Sequence, residues 1–190
     1  MGLALRDLLI EKGHYTAREE LEMIDKMSNA NPGNGGRMIA KAWCDPSYKA
    51  LLLSDGNAAA RAVGIDPGPT EFTVLENTDQ VHNVVVCTLC SCYPRAILGM
   101  SPAWYKSNNY RSRVVRAPRE VLAEFDTHLD DCLEVRVHDS TAELRYMIMP
   151  QRPEGTEGWS EERLAALVTR DSMIGVQRVL AHPGSPPETA

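Results

Sequence analysis

The sequence has no long apolar run, and it has little positive charge. No stretch approaches the roughly 20 apolar residues that a membrane-spanning helix needs. The apolar N-terminal patch ends at Asp7, after only a few residues, and is too short for the apolar core of a secretory signal. We therefore expect a soluble, cytoplasmic protein that does not contact a membrane. With 26 acidic and 20 basic residues the net charge is −6, which argues against nonspecific binding to nucleic acid.

Several common catalytic motifs are also missing. The sequence contains no G-x-S-x-G motif, which speaks against a hydrolase triad of that kind. Its five histidines are scattered without an i, i+4 pair, so we expect none of them to bind a metal. The glycine-rich stretch 29–36 lacks both a preceding strand and a following Lys-Ser/Thr pair, so it is not a phosphate-binding loop.

Cysteine is scarce, but its distribution is unusual. The chain has five cysteines, an odd number, and three of them lie within residues 87–92. Cys44 and Cys132 stand alone, without a histidine or cysteine at ligand spacing, and we expect structural roles for both. This pattern suits a reducing compartment and a bound metal better than a disulfide framework.

The segment Cys87-Thr88-Leu89-Cys90-Ser91-Cys92, here called the cysteine loop, predicts a metal site. Thiolates are soft ligands, and three of them this close together would repel one another without a cation between them. Structural zinc sites and iron–sulfur clusters usually take four ligands, and no fourth is evident. A metal held by both Cys90 and Cys92 must lie close to the backbone nitrogens of Ser91 and Cys92, which become candidate ligands.

The cysteine loop and its surroundings resemble one known family. The run from Val84 to Pro94 is similar to the metal-binding loop of nitrile hydratase α subunits, and Thr88 resembles the cobalt-type members. The resemblance keeps its order from about residue 14 to about residue 180. Further matching segments are Trp43-Cys44-Asp45-Pro46, Leu75-Glu76-Asn77-Thr78, Trp104-Tyr105-Lys106-Ser107, Leu144-Arg145-Tyr146, Gln151-Arg152-Pro153 through Ser160, and Val168 through Gly175.

The resemblance implies a ligand set for one metal ion per chain. The ligands would be the thiols of Cys87, Cys90 and Cys92 and the backbone nitrogens of Ser91 and Cys92, with a sixth position open. The metal would be Co(III), with Fe(III) as the alternative. Cys90 would be oxidised to sulfinate and Cys92 to sulfenate, so Cys90, Ser91 and Cys92 are the predicted catalytic residues. Arginines of a β-type subunit would neutralise the added oxygens.

The resemblance further implies a hydro-lyase that adds water to a small-molecule nitrile and releases the amide. It would work with one or more β-type subunits and receive its metal from a metallochaperone or activator. Asp139 and Glu143 match carboxylates of the family that orient the partner's arginines. The alternative for both is an ordinary polar turn after a strand.

Arg95 departs from the family pattern. Nitrile hydratases commonly have Trp-Pro after the loop's Cys-Tyr-Pro, whereas this chain has Arg95-Ala96. A guanidinium in place of a flat aromatic wall makes a substrate pocket more polar. We expect a polar heteroaromatic nitrile, as for the three-subunit toyocamycin nitrile hydratase. Alternatively, Arg95 faces solvent or a partner subunit.

Two other functions share parts of this pattern. The γ subunits of thiocyanate hydrolases have the same cysteine loop, and such a chain would act on an inorganic anion. A noncatalytic metal-binding or assembly protein could also retain the loop. Turnover of nitriles or of thiocyanate by the reconstituted complex distinguishes the three.

The predicted fold class is α+β, with an extended N-terminal helical arm followed by a layered α/β domain of the nitrile hydratase α-subunit type. We place the arm and a glycine-rich linker at 1–36, the metal-binding catalytic domain at 37–180 and a disordered tail at 181–190. The arm's apolar stripe (Ala17, Leu21, Ile24, Met27) is predicted to bind the β-type partner.

The periodicity predicts helices and strands around the cysteine loop. A strand at 81–86 leads directly into it, and a capping box at 16–19 begins the arm's main helix. Strands at 133–137 and 144–149 are predicted to pair with each other across the turn at 139–141. Further helices are predicted at 46–53, 105–116, 118–125 and 160–169, with a short helix that ends at residue 64. A strand is predicted near 72–75.

Overall fold

The molecule begins with a helical arm that buries little of its own surface. The computed structural model describes residues 2–181. The arm consists of α1 (Gly2–Glu11) and α2 (Ala17–Asn29). The predicted capping box is present, because Thr16 Oγ1 accepts the N–H of Glu19 at 3.2 Å and Glu19 Oε2 accepts the N–H of Thr16 at 2.7 Å. No residue of α2 is buried, so its apolar side chains are exposed.

The stretch predicted as a linker at 29–36 instead contains the start of a helix, α3 (Pro32–Cys44). Asn31 caps this helix by accepting a first-turn backbone N–H at 2.9 Å. Gly35 is buried, and a Cβ at this position would lie 2.4 Å from Met173 Sδ. The glycines therefore permit close packing rather than flexibility. The domain boundary predicted at residue 36 falls inside this helix.

Two short helices follow, close to their predicted positions. They are α4 (Pro46–Ser54) and α5 (Gly56–Ala62). Each begins after an aspartate, Asp45 or Asp55, whose side chain accepts backbone N–H groups of the first turn at 2.8 to 3.0 Å. Asp45 and Pro46 were sufficient to place the first of these helices from the sequence, because both act locally at a helix start; Asp55 was predicted only to end it, and it also caps the second.

Within residues 2–181, four strands form two parallel pairs. β1 (Glu71–Glu76) pairs with β4 (Leu144–Met149), and β2 (Val81–Val86) pairs with β3 (Glu134–Asp139). The predicted antiparallel pairing of the last two strands is therefore wrong. Alternation identifies a strand but not its partner. Since β2 is buried along almost its whole length, its backbone groups need a partner strand, and β3 supplies it.

The parallel register of β2 and β3 positions the cysteine loop. Val86 and Asp139 are opposite each other at the ends of the two strands. The N–H of Ser140 donates to the carbonyl of Val86 at 2.7 Å and extends the pairing by one residue. The carboxyl ends of parallel strands share one edge, so the chain enters the cysteine loop directly beside Asp139.

The other helices are short and cluster around the strands. The predicted helix at 105–116 is divided, because Ser107 ends one helix and caps the next by accepting the N–H of Tyr110. Thr169 similarly begins a separate helix after the one that Ser160 caps. The helices are α6 (Arg95–Leu98), α7 (Ala103–Lys106), α8 (Asn108–Arg113), α9 (Pro118–Ala123), α10 (Glu161–Leu167) and α11 (Arg170–Ile174).

One apolar core joins the strand pairs to the surrounding helices. Its largest fully buried side chains come from both and include Met38, Leu52, Leu98, Leu122, Met147 and Ile148. The fold class predicted from the sequence, α+β with the loop directly after a strand, is confirmed. Residues 2–181 contain no helix that is both long and apolar enough to cross a membrane. The tail predicted at 181–190 lies outside the described residues, except for Ala181.

Candidate metal centre

The three thiols of the cysteine loop converge at the end of β2. Cys87 Sγ lies 3.5 Å from Cys90 Sγ, which lies 3.2 Å from Cys92 Sγ. All three sulfur atoms are within 4.8 Å of one another, close enough to bind one metal ion. Cys87 is fully buried and Cys92 is 9% exposed, whereas Cys90 is exposed. The cluster therefore has a closed side facing the core and an open side facing solvent.

The backbone of the cysteine loop also faces the sulfur atoms. The N–H of Cys90 donates to Cys87 Sγ at 3.3 Å. The pKa of Cys90 is lowered to about 7, first by the thiol of Cys92 and then by the N–H of Ser91, with a smaller effect from the N–H of Cys92. The backbone N–H groups of Ser91 and Cys92, whose nitrogens are the predicted ligands, thus favour a thiolate at Cys90.

The pKa of Cys92 shifts in the opposite direction. Burial is the main cause that raises its pKa to about 12, and its hydrogen bond with the thiol of Cys90 adds to the effect. The ionisation of these crowded thiols is therefore coupled, since one ionised sulfur raises the pKa of the next. A soft cation that replaces these protons would remove the conflict. Three sulfur donors with adjacent amide nitrogens form a suitable donor set for a thiolate-preferring transition metal.

The side chain of Asp139 connects the cysteine loop to β3 through hydrogen bonds. Its Oδ1 accepts the N–H of Thr88 at 2.9 Å, and its Oδ2 accepts the hydroxyl of Thr88 at 2.5 Å. The sequence predicted Asp139 near the site, but as a residue that orients a partner's arginine. Within the described residues, its contact is with the loop itself. Glu143 is exposed, and within the described part of the chain its side chain accepts a hydrogen bond only from the hydroxyl of Thr141, at 3.2 Å.

Arg111 was not predicted from the sequence. It lies on α8, and its Nη1 donates to the carbonyl of Cys90 at 2.9 Å and to that of Thr88 at 3.4 Å. Its Nη2 donates to Asn108 Oδ1 at 2.5 Å. No local pattern marks this arginine, because it is 21 residues from Cys90 and meets the loop only in the fold.

A cluster of aromatic residues packs against the cysteine loop on its core side. The hydroxyl of Tyr105 donates to the carbonyl of Cys92 at 2.8 Å, and that of Tyr110 donates to the carbonyl of Val85 at 2.7 Å. Burial raises the pKa of both tyrosines, so they remain neutral donors. The ring of Trp104 packs edge-on against both. These contacts hold the chain on both sides of the thiol cluster.

Arg95, the predicted pocket residue, is exposed at the start of α6. It lines a groove of about 790 Å³ together with Met23 and Met27 of α2 and with Met100. The described residues that line this groove include no part of the cysteine loop. The fold therefore places Arg95 on the side of α6 that faces the arm, and its contact with a substrate stays a prediction.

Comparisons with known proteins agree with this geometry. Residues 2–177 match the family model for the nitrile hydratase alpha chain. The cobalt-containing nitrile hydratase α subunit of Pseudonocardia thermophila is 49% identical over 181 residues, covering 92% of this chain and 87% of that subunit. The thiocyanate hydrolase γ subunit of Thiobacillus thioparus is 48% identical over 188 residues, covering 93% of this chain and 77% of that subunit.

The solved structures lead to the same conclusion. A double mutant of the Fe-type nitrile hydratase from Comamonas testosteroni Ni1 matches with a TM-score of 0.84 and 45% identity, covering 98% of this chain and 92% of that one. Fold, thiol cluster and sequence together define a metal-binding subunit of this type. The chain belongs to the nitrile hydratase α-chain family.

Proposed function

We propose that this chain is the metal-binding α-type subunit of a nitrile hydratase, which adds water to a nitrile and releases the amide. The convergence of three thiols within 4.8 Å is the observation that carries the proposal. The sulfur atoms of Cys87, Cys90 and Cys92 and the backbone nitrogens of Ser91 and Cys92 would hold the metal. When bound, a trivalent metal supplies Lewis acidity that activates a nitrile or a water molecule.

The metal is proposed to be cobalt. Thr88 resembles the cobalt-type members, and a relative at 49% identity is named as cobalt-containing. Iron is the alternative, because a structure with a TM-score of 0.84 is of the Fe type. The two metals have similar thiolate and amide preferences, so the loop's donor set alone does not separate them.

We propose different oxidation states for the three thiols. Cys90 is exposed and its pKa is lowered, whereas the pKa of Cys92 is raised, so Cys90 has a higher thiolate fraction than Cys92 and the best access to an oxidant; it becomes the sulfinate. Cys92, which is 9% exposed, stops at the sulfenate. Cys87, fully buried, stays a thiolate. The open side of the cluster would then carry the added oxygens.

A β-type partner subunit would complete the site. Oxygenated sulfurs are anionic, and anions at an interface need cationic partners. Arginines of the partner would supply them, and an activator protein would deliver the metal. The exposed apolar residues of α2 support an interaction with the same partner. Leu89 at the tip of the cysteine loop, 89% exposed, offers a further apolar contact.

Hydrolysis of thiocyanate is the second candidate function. It is favoured by the 48% identity to a thiocyanate hydrolase γ subunit and by Arg95, whose guanidinium suits an anion as well as a polar heteroaromatic nitrile. If Arg95 contacts the substrate, Arg95→Gln lowers turnover of the preferred polar or anionic substrate more than that of a small aliphatic nitrile.

Turnover by the reconstituted, metal-loaded complex tests the proposal. We expect amide formation from a nitrile at a rate well above that with thiocyanate. Ammonia release from thiocyanate with no amide formation from nitriles would identify the second candidate. A metal-loaded complex that turns over neither substrate would contradict both and indicate a noncatalytic assembly protein.

A further inference from the structure

Arg111 directs an unneutralised positive charge at the backbone of the cysteine loop. Its Nη1 lies 2.9 Å from the carbonyl oxygen of Cys90, and Asn108 holds its Nη2 at 2.5 Å. No carboxylate in residues 2–181 forms an ion pair with it. Its Nε is buried and has no hydrogen-bond partner in the same part of the chain. The side chain as a whole is half-buried, and the cost of withdrawing its charge from water is offset by its hydrogen bonds to the loop and to Asn108.

The carbonyl of Cys90 and the nitrogen of Ser91 belong to the same peptide group. The two atoms are conjugated, because the peptide C–N bond has partial double-bond character. If the nitrogen of Ser91 gives up its proton to bind a metal, much of the resulting negative charge resides on the oxygen of Cys90. A guanidinium that already donates to this oxygen stabilises that charge through a charge-assisted hydrogen bond.

We propose that Arg111 is the positioning residue that makes the Ser91 nitrogen a metal ligand. In this step the N–H bond of Ser91 breaks, a nitrogen–metal bond forms, and the proton leaves to solvent without any change in electron count. The charge for this peptide group then comes from the chain itself and not from a partner subunit. The inference rests on the metal centre proposed above, but it concerns binding of the metal and not the reaction.

The experiment compares full-length variants that differ in charge and shape at position 111. Cobalt(II) is added to the chain without oxygen, in competition with a coloured chelator, and the absorption spectrum of the bound metal is recorded. Arg111→Gln should weaken metal binding about 10- to 100-fold, as expected for a group that supports a ligand. It should also shift the visible absorption bands, because a nitrogen is lost from the ligand set. Arg111→Lys, which keeps the charge, should recover part of the affinity and the original bands.

Arg113 provides the matched control. It lies on the same helix, but its Nη2 pairs with Glu124 at 2.5 Å and not with the loop. Arg113→Gln should leave both affinity and spectrum unchanged. If Arg111→Gln weakened metal binding but left the spectrum unchanged, Arg111 would only support the loop structurally, and the inference would be wrong. Unchanged metal binding by Arg111→Gln would also overturn it. If the unaltered chain bound no metal even with its activator present, the proposed metal centre would fail, a result distinct from either.

Discussion

At the scale of single residues, side chains from distant parts of the sequence hold the cysteine loop. Asp139 on β3 accepts two hydrogen bonds from Thr88, and Arg111 on α8 donates a hydrogen bond to the carbonyl of Cys90. The thiols could therefore keep their mutual distances without a metal. Such support from a surrounding shell is what aligns ligands at metal sites in general.

Removing the carboxylate of Asp139 should loosen the loop. Asp139→Ala takes away both acceptors for Thr88, and we expect metal binding to weaken about 10- to 100-fold. The measurement is metal retention during dialysis against a chelator. Glu143→Ala is the control, because the side chain of Glu143 hydrogen-bonds only to Thr141 within the described chain, and it should retain metal normally. Equal losses in the two variants would show that Asp139 acts through general surface charge.

The sequence predicted the cluster of three thiols, but it predicted only part of the surroundings that hold the cysteine loop in place. The three thiols are adjacent in sequence, so a local motif reveals them. Asp139 was identified through the family resemblance, but its contact with Thr88 depends on the parallel pairing of β2 and β3. Arg111 meets the loop only through packing of α8, and no local pattern carries that information.

At the scale of helices and strands, features set by neighbouring residues were predicted correctly, whereas features set by distant residues were not. Capping residues fix helix starts locally, and the start of α2 was predicted correctly. The partner of a strand is a long-range property, and the predicted pairing of β3 with β4 was wrong. The glycines of α3 signalled flexibility by composition. In the structure Gly35 lets α6 and α11 approach and Gly36 lets α10 approach, which only the packed structure reveals.

Gly35→Ala should destabilise the protein because its new methyl group has no space. The Cβ would lie 2.4 Å from Met173 Sδ and 2.5 Å from Leu98 Cδ2, both on buried side chains. We expect the free energy of unfolding to fall by about 1–3 kcal/mol, as for other overpacked cores. Arg37→Ala, at an exposed position of the same helix, should change it by less than about 0.5 kcal/mol. Equal stability of the two variants in denaturant titrations would mean that this turn is not packed.

The arm provides a second prediction at this scale. Leu21 and Ile24 are 60% and 50% exposed, so replacing both with serine should not lower the thermal stability of the isolated chain. Binding to the β-type subunit should weaken at least about 10-fold, because each buried aliphatic side chain contributes roughly 1.5–3 kcal/mol. Arg18→Ser serves as the polar control. A truncation for the same purpose must end before Asn31, since Asn31 caps α3. Unchanged assembly by calorimetry would exclude the arm from the interface.

At the scale of the whole molecule, buried histidines should make stability depend on pH. His82 donates from Nε2 to the carbonyl of Gly175 at 2.7 Å, and its Nδ1 faces the amide nitrogen of Asn77 at 3.3 Å. A proton on Nδ1 would have no acceptor there, because the amide oxygen of Asn77 is bonded to Asn83. Burial, the main cause, lowers the pKa of His82 below its ordinary value of 6.5.

The sign of the effect follows from this depressed pKa. Below about pH 6.5 the unfolded chain binds a proton that the folded chain resists, so stability is complete above this pH and falls as the pH decreases. The unfolding temperature should therefore drop between about pH 7 and pH 5. His82→Gln should reduce this dependence, whereas His128→Gln, at an exposed position, should not. A pH profile that His82→Gln leaves unaltered would contradict the assignment.

Intact-mass spectrometry of the native chain tests the central claim, that the cysteine loop is a cobalt centre with two oxygenated cysteines. The chain is purified with its partner from cells supplied with cobalt. The account predicts one cobalt and three added oxygen atoms per chain, two on Cys90 and one on Cys92. Cys87→Ser should lose the metal, and Cys132→Ser should keep it. Stoichiometric zinc or iron, or an active complex whose loop carries no added oxygen, would contradict the account.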